Sequence, residues 1–320
     1  MALLEVKNLT TRFFTFRGVV RAVEDVSLSI EKEEILGVAG ESGSGKSTLA
    51  WSIMGLVPPP GRIVKGKVVI DGIDVTSLSD VERRKRVLWK KVSMIFQGAI
   101  NALNPVYTIG YQLAEPFIYH FGMTKKEALQ KAEELLPLVG LSPEIAKRYP
   151  HELSGGMKQR VVIAMALALH PPLVIADEPT TALDVVVQAQ ILNLLKKLKA
   201  QEKLSFIFIT HDLSVIAEMA DKVMIMYGGR VMEYGTSEQI FNEPLHPYTQ
   251  ALIESIPRIR GPVSKLRYIP GEPPDLVSPP EGCRFHARCP KATEKCRKEE
   301  PPLIYVGEGR QVRCWLYTGG

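Results

Sequence analysis

Three groups of residues in this chain have the types and spacing to do chemistry. The first is Gly40-Glu41-Ser42-Gly43-Ser44-Gly45-Lys46-Ser47. Its glycines let successive backbone N–H groups turn toward one point and wrap the oxygens of a polyphosphate. Lys46 adds a mobile positive charge for the outer phosphates. The Ser47 hydroxyl is a hard oxygen ligand suited to Mg²⁺, and Thr48 follows as a second hydroxyl near the α-phosphate. The second group is Leu173-Val174-Ile175-Ala176-Asp177-Glu178, an apolar run ending in two carboxylates. Asp177 has the place of a carboxylate that holds Mg²⁺ through water. Glu178 is the candidate general base that polarises the attacking water. The third is Ser154-Gly155-Gly156, set before an apparently helical stretch from Lys158 to Leu169. The N-terminus of a helix favours an anion. A second anion site in a chain with one phosphate loop makes sense once a second copy supplies the triphosphate.

Several elements must position these groups. Ile35-Leu36-Gly37-Val38-Ala39 reads as a strand buried on both faces that runs straight into the phosphate loop. Ser47 to Leu56 reads as a helix, closed at Pro58-Pro59-Pro60-Gly61. Leu4, Val6 and Leu9, then Val23, Val26, Leu28 and Ile30, alternate with polar residues as in antiparallel strands with one buried face. Val68-Val69-Ile70 with Asp71-Gly72 predicts a strand and turn, and Val92-Ser93-Met94-Ile95-Phe96-Gln97 a strand ending in a polar residue. Residues 98 to about 165 carry helical spacing, as in Ala128, Leu129, Ala132, Leu135, Leu136 and Val139. Strand patterns resume at Leu173, at Phe206-Ile207-Phe208-Ile209 and at Val223-Met224-Ile225-Met226. Strands alternating with helices predict a mostly parallel α/β core.

Composition narrows the function classes. The 320 residues suffice for one large domain with an appendage or for two domains. Net charge is +5 and dispersed, which argues against a nucleic-acid partner. The densest basic run, Arg83-Arg84-Lys85-Arg86, reads as a solvated helix face. No stretch approaches the roughly 20 apolar residues needed to cross a bilayer, and the N-terminus lacks a signal-peptide layout. The expected location is the cytoplasmic side, with any membrane role exercised by docking to another subunit.

Beyond residue 240 the texture changes. Residues 257–302 hold ten of the 23 prolines, which predicts an extended tail folded around its cysteines rather than around an apolar core. All four cysteines, Cys283, Cys289, Cys296 and Cys314, lie there in the spacing C-x5-C-x6-C-x17-C. The tight knuckle that opens most zinc sites is absent, and a reducing cytoplasm disfavours disulfides. Four thiolates with a Cys289-Pro290 step suit an iron–sulfur cluster, with Zn²⁺ and then free thiols as alternatives.

Leu153-Ser154-Gly155-Gly156-Met157-Lys158-Gln159-Arg160, following the phosphate loop and preceding Asp177-Glu178, resembles the signature of the ATP-binding cassette ATPases, over residues 1–240. The resemblance implies an α/β fold. Its parts are a phosphate-loop NTPase core, an antiparallel β-subdomain, a helical subdomain at about 98–165 and a Pro-rich extension at 241–320 bearing the four-cysteine site. It implies that Gln97 touches Mg²⁺ and the water. His211, in Ile209-Thr210-His211-Asp212, resembles the switch histidine that contacts the γ-phosphate. Phe13 is the best match for the aromatic that stacks on adenine, with Phe14 and Phe16 as rivals. In the family the signature loop of one protomer covers the γ-phosphate held by its head-to-tail mate, and Thr181-Ala182-Leu183-Asp184 resembles the loop that crosses that interface.

Asn101-Ala102-Leu103-Asn104-Pro105, His246-Pro247-Tyr248-Thr249-Gln250-Ala251-Leu252 and Gly282-Cys283-Arg284-Phe285-His286-Ala287-Arg288-Cys289-Pro290 are not required for ATP chemistry. They resemble the ATPase subunits of bacterial dipeptide and oligopeptide importers. That implies two membrane permease subunits, an extracytoplasmic binding protein, a second ATPase subunit (identical or a paralogue) and a [4Fe–4S] cluster. It also places Gly98 to Gln112 near the groove that receives a permease coupling helix. Other cargo, such as a nickel complex or a sugar, and a soluble cassette ATPase without transport remain alternatives. The double cassettes of translation types and the long coiled coils of repair types do not appear.

Overall fold

The computed structural model describes residues 2–98, 102–181, 183–255, 269–307 and 309–318. Asn101 and Ala182, each part of a motif named above, lie outside them. The chain forms two compact units. A terminal unit holds Leu4–Ser29, Ile35–Val68 and the chain from Phe208 onward; a central unit is built on Val69–Ile207.

In the terminal unit, alternation shapes the first sheet. Val26, Leu28 and Ile30 are buried while Asp25, Ser27 and Ser29 face solvent. Strand Gly18–Ile30 lies beside Leu4–Thr15, and the two-residue Phe16-Arg17 link makes the pair antiparallel. Gly61–Ile70 flanks Leu4–Thr15 on its other side, a longer strand than the sequence pattern indicates. The continuous apolar run Ile35–Ala39 is buried at every residue. It pairs in parallel with Lys222–Tyr227, with Leu36 opposite Lys222 and Ala39 opposite Ile225. Gly37 admits a close neighbour, since a Cβ there would sit 2.5 Å from Ile216. Helix Lys46–Met54 leaves the phosphate loop and stops at Gly55, whose φ of 68° ends it.

The C-terminal extension differs from its expected form. It is not an extended tail folded around cysteines alone. Arg230–Thr236 runs antiparallel to Lys222–Tyr227, Gln311–Val312 pairs with Arg230–Thr236, and Ile304–Tyr305 pairs with Gln311–Val312. Tyr248, Cys283 and Phe285 join Ala39, Ile216, Ile225 and Tyr227 in one buried apolar cluster. The Tyr227 ring lies 4.6 Å from that of Tyr248 and 5.3 Å from that of Phe285, centroid to centroid. Proline density excludes ladder hydrogen bonds but not the delivery of large aromatic side chains onto a sheet. Polar anchors complete the attachment. Glu233 is fully buried and accepts from the Leu245 N–H at 2.9 Å, the His246 N–H at 2.9 Å and Arg310 at 2.8 Å. Arg284 reaches the Gly228 carbonyl and Glu24.

In the central unit, Val92–Ile95 and Leu173–Asp177 are parallel, fully buried strands with Ile95 opposite Ala176. Helices Ile109–Phe121, Lys125–Leu138, Gly155–Leu167 and Val185–Glu202 follow from helical spacing and defined caps. Thr124 and Glu127 form a capping box, and Lys125–Leu138 buries Ala128, Ala132, Leu135 and Leu136 on one stripe. The basic run falls on helix Asp80–Arg86, none of whose residues is buried.

Removing Arg310 would leave the buried Glu233 carboxylate without its guanidinium partner, with only the Leu245 and His246 N–H groups to hold it. Arg310→Leu is therefore expected to lower stability by about 3–5 kcal/mol in chemical denaturation; a loss under about 1 kcal/mol would contradict this account of how the extension is held.

Candidate functional site

The phosphate loop follows Ile35–Ala39 because the next residue must turn where only glycine fits. Gly40 has a φ of +147°, and a Cβ there would sit 2.1 Å from the Met226 carbonyl oxygen. Gly45, at φ +103°, caps helix Lys46–Met54; a Cβ on it would lie 2.3 Å from the Ala22 carbonyl oxygen. A glycine cap carries no side chain to occupy the first helical N–H groups, so they suit an anion. Lys46 Nζ donates to the carbonyls of Gly40 at 2.7 Å and Glu41 at 2.9 Å and reaches Ser44 Oγ at 3.4 Å. Ser44 is buried, Ser42 and Gly43 are exposed, and Ser47 and Thr48 are half-buried in the first turn. His211, exposed, follows strand Ser205–Ile209. Of the three candidate aromatics, Phe13 packs on Gly61, where a Cβ would meet its ring at 2.6 Å. Phe14 carries the Arg62 guanidinium 4.1 Å from its centroid, and Phe16 is 96% exposed in the hairpin turn.

The carboxylates belong to the central unit. Ile95 and Ala176 face each other across two parallel strands, so residues two positions further on emerge side by side at the carboxyl ends. Those residues are Gln97 and Glu178. Gln97 Nε2 donates to Glu178 Oε2 at 2.8 Å, and the Thr181 hydroxyl donates to the same oxygen at 2.9 Å. Glu178 adopts a φ of +48°, left-handed for a non-glycine residue, a strain of about 1–2 kcal/mol that is characteristic of functional positions. Asp177 is 2% exposed. Ser154 caps helix Gly155–Leu167, its hydroxyl accepting from the Met157 N–H at 3.4 Å, and Ser154 and Gly155 are exposed. Gly156 lets the helix approach Val187, which a Cβ would meet at 2.9 Å. One helical turn on, buried Gln159 donates to the Pro179 carbonyl at 2.6 Å, tying the signature helix to the turn after Glu178. Within the central unit, Gln97 and the buried Asp177 carry oxygens of the hard type that suits Mg²⁺.

A family model described as "ABC transporter" matches residues 23–181. The oligopeptide transport ATP-binding protein AppD of Bacillus subtilis (strain 168) is 51% identical over 318 residues, covering 98% of this chain and 97% of its own. This chain belongs to the ATP-binding cassette transporter ATPases. The dipeptide transport ATP-binding protein DppD of Escherichia coli (strain K12) is 46% identical over 98% of this chain and 96% of its own length. A second model, "Oligopeptide/dipeptide transporter, C-terminal region", matches residues 232–296. Among solved structures, a dimeric ATP-binding cassette in a post-hydrolysis state bound to ADP and Pi shares 33% identity and a TM-score of 0.65, over 73% of this chain and 98% of that one. The α/β fold with an antiparallel sheet and helical parts is thus that of a cassette ATPase. No helix among the described residues is long and apolar enough to cross a membrane.

A cavity of about 540 Å³ in the central unit is lined by Arg84, Trp89, Tyr111, Gln112, Tyr119 and Met165. Tyr111 and Gln112 belong to the helix that follows Gly98–Asn104, and Trp89 is fixed by its Nε1–H to the Met165 carbonyl at 2.9 Å.

In the extension, Cys283, Cys289, Cys296 and Cys314 all line one cavity of about 190 Å³. The Cys283 N–H donates to the Cys296 carbonyl at 2.8 Å, and Gly282 lets the two segments approach, since a Cβ would lie 2.2 Å from the same oxygen. Among the described residues no three His, Cys, Asp or Glu side chains converge tightly enough to hold one metal ion. Burial pushes the Cys283 thiol up to about 12, and raises Cys289 and Cys314 as well.

Sequence reasoning named the His246-Pro247-Tyr248 motif without giving it work. His246 is buried and caps helix Pro247–Glu254, its Nδ1 accepting from the Tyr248 N–H at 3.0 Å; burial pushes its pKa down to about 3, so it stays neutral. Tyr248 and Arg288 both reach Glu41 of the phosphate loop, and neither contact was foreseen.

Proposed function

We propose that this ATPase is the energising subunit of a membrane importer of dipeptides or oligopeptides. The observation that carries the reading is the extent of the likeness. It runs over 98% of the chain to an oligopeptide and to a dipeptide transport ATP-binding protein, and so includes the C-terminal region that ATP chemistry does not need.

The backbone N–H groups of Gly40 to Ser47 and the Lys46 ammonium grip the triphosphate, Thr48 lies toward the α-phosphate, and Phe13 stacks on adenine, with Phe14 and Phe16 as the other choices. Ser47, Asp177 and Gln97 would hold Mg²⁺, which would neutralise charge developing on the phosphates. Glu178, oriented by Gln97 and Thr181, accepts a proton from the attacking water, and His211 contacts the γ-phosphate. Ser154, Gly155 and Gly156 supply helix N-terminal donors to the γ-phosphate held by a second ATPase subunit, arranged head to tail. ATP joins the two subunits, and hydrolysis releases them. The cavity beside Trp89 and Tyr111 receives a segment from one of two permease subunits, which hold the ATPase at the cytoplasmic face of the membrane. An extracytoplasmic binding protein selects the peptide.

In the assembled transporter, Glu178→Gln is expected to reduce ATP turnover by about 100-fold or more while ATP affinity stays within about twofold. Turnover at the wild-type rate would remove Glu178 from its assigned role.

The four cysteines, on this reading, would ligate a [4Fe–4S] cluster, which would cross-link a segment poor in regular structure. Protein purified without oxygen is expected to be brown and to contain iron and acid-labile sulfide near four per chain, both lost in Cys283→Ser. Stoichiometric zinc without iron would establish the alternative metal instead.

A further inference from the structure

Glu41 is the one charged spacer in the phosphate loop, and phosphate chemistry gives its side chain no task. Yet that side chain and its backbone N–H are both tethered. Its backbone N–H donates to the Tyr248 hydroxyl at 2.9 Å. Its carboxylate is gripped on both oxygens by Arg288, Nη1 to Oε2 at 2.6 Å and Nη2 to Oε1 at 2.9 Å, a bidentate fork. Arg288 is fixed in turn. Its Nε donates to the Pro270 carbonyl at 2.8 Å, Nη2 to the Ile269 carbonyl at 3.1 Å and Nη1 to the Tyr227 hydroxyl at 3.2 Å. The Arg288 side chain is 4% exposed and Tyr248 is fully buried.

We propose that Arg288 and Tyr248 of the C-terminal extension are positioning residues for nucleotide binding, acting through Glu41 to hold the phosphate loop in its phosphate-wrapping shape. The proposal rests on the reading of Gly40 to Ser47 as the nucleotide grip. Two effects combine. A loop of glycines and serines has much backbone freedom to lose, and ordering it beforehand lowers the cost of binding. A carboxylate one residue from Gly40 would also repel a triphosphate, and the guanidinium both neutralises it and fixes its direction. The His246-Pro247-Tyr248 and Arg288-Cys289-Pro290 motifs thereby gain a common purpose. Pro247 and the His246 cap set the helix that carries Tyr248, and the turn at His286-Ala287-Arg288 carries the fork.

The test is a titration of the purified full-length protein with a fluorescent ATP analogue and Mg²⁺, with nucleotide-free thermal unfolding as the check on folding. Arg288→Gln is expected to weaken binding about tenfold, the scale of one charge-assisted contact. Tyr248→Phe keeps the packed ring, loses only the hydroxyl and should weaken binding about threefold to tenfold; it decides the matter if Arg288→Gln does not fold. In a Glu41→Gln background, which has no carboxylate to restrain, Arg288→Gln should add less than twofold, and this non-additivity is what a merely stabilising arginine would not produce. Wild-type affinity in folded Arg288→Gln, or an undiminished loss in the Glu41→Gln background, would overturn the proposal. If the wild-type protein itself binds no ATP analogue, the assignment of the nucleotide grip fails instead.

Discussion

The structure turns on a steric demand. Backbone N–H groups can converge on a phosphate only if the chain leaves its strand through conformations that a side chain forbids, and Gly40 and Gly45 meet that demand against the carbonyls of Met226 and Ala22. Because those carbonyls are backbone, the loop is shaped by the strand and hairpin around it and not by its own sequence alone. The strand must therefore be rigid, which explains why Ile35–Ala39 is buried along its whole length and paired to Lys222–Tyr227. Chemistry in the central unit obeys a matching rule. Parallel pairing of Ile95 with Ala176 makes Gln97 and Glu178 neighbours, and a left-handed Glu178 accepts the strain that directs its carboxylate.

The C-terminal extension is then better understood as part of the cassette than as an appendage. It supplies Tyr248 and Phe285 to the apolar cluster beneath the phosphate loop's strand, Gln311–Val312 to the sheet, and Arg288 to Glu41. Its interior is held by buried charges with defined partners, Glu233 with Arg310 and Glu24 with Arg284. Such pairs add little net stability over apolar residues but strongly penalise any arrangement that separates them, so they fix how this irregular segment lies. The cysteine-lined cavity sits in a scaffold already anchored by aromatic packing.

Much of this was legible in the sequence where chemistry is local. The phosphate loop, the run ending at Asp177-Glu178, the helix after Ser154 and the stripe Ala128, Ala132, Leu135 and Leu136 each carry their structure in adjacent residues. Non-local pairings were not legible. Nothing near Arg288 announces a partner 247 positions earlier, nor does the two-residue strand Gln311–Val312 have the length to show alternation. The tail was misjudged because proline density reports the absence of ladders, while Phe285 and Tyr248, single aromatics in a polar context, do the anchoring. The choice among Phe13, Phe14 and Phe16 stayed open for a similar reason, since Phe13 and Phe14 alternate on one strand and Phe16 follows in the turn.

The central claim is that binding energy resides in the loop's donors acting on the phosphates. Calorimetric titration of the purified protein with Mg-ATP and with AMP tests it most directly. Each lost phosphate removes several charge-assisted hydrogen bonds, so ATP is expected to bind at least about 100-fold more tightly than AMP. Equal affinities for the two nucleotides would contradict the account.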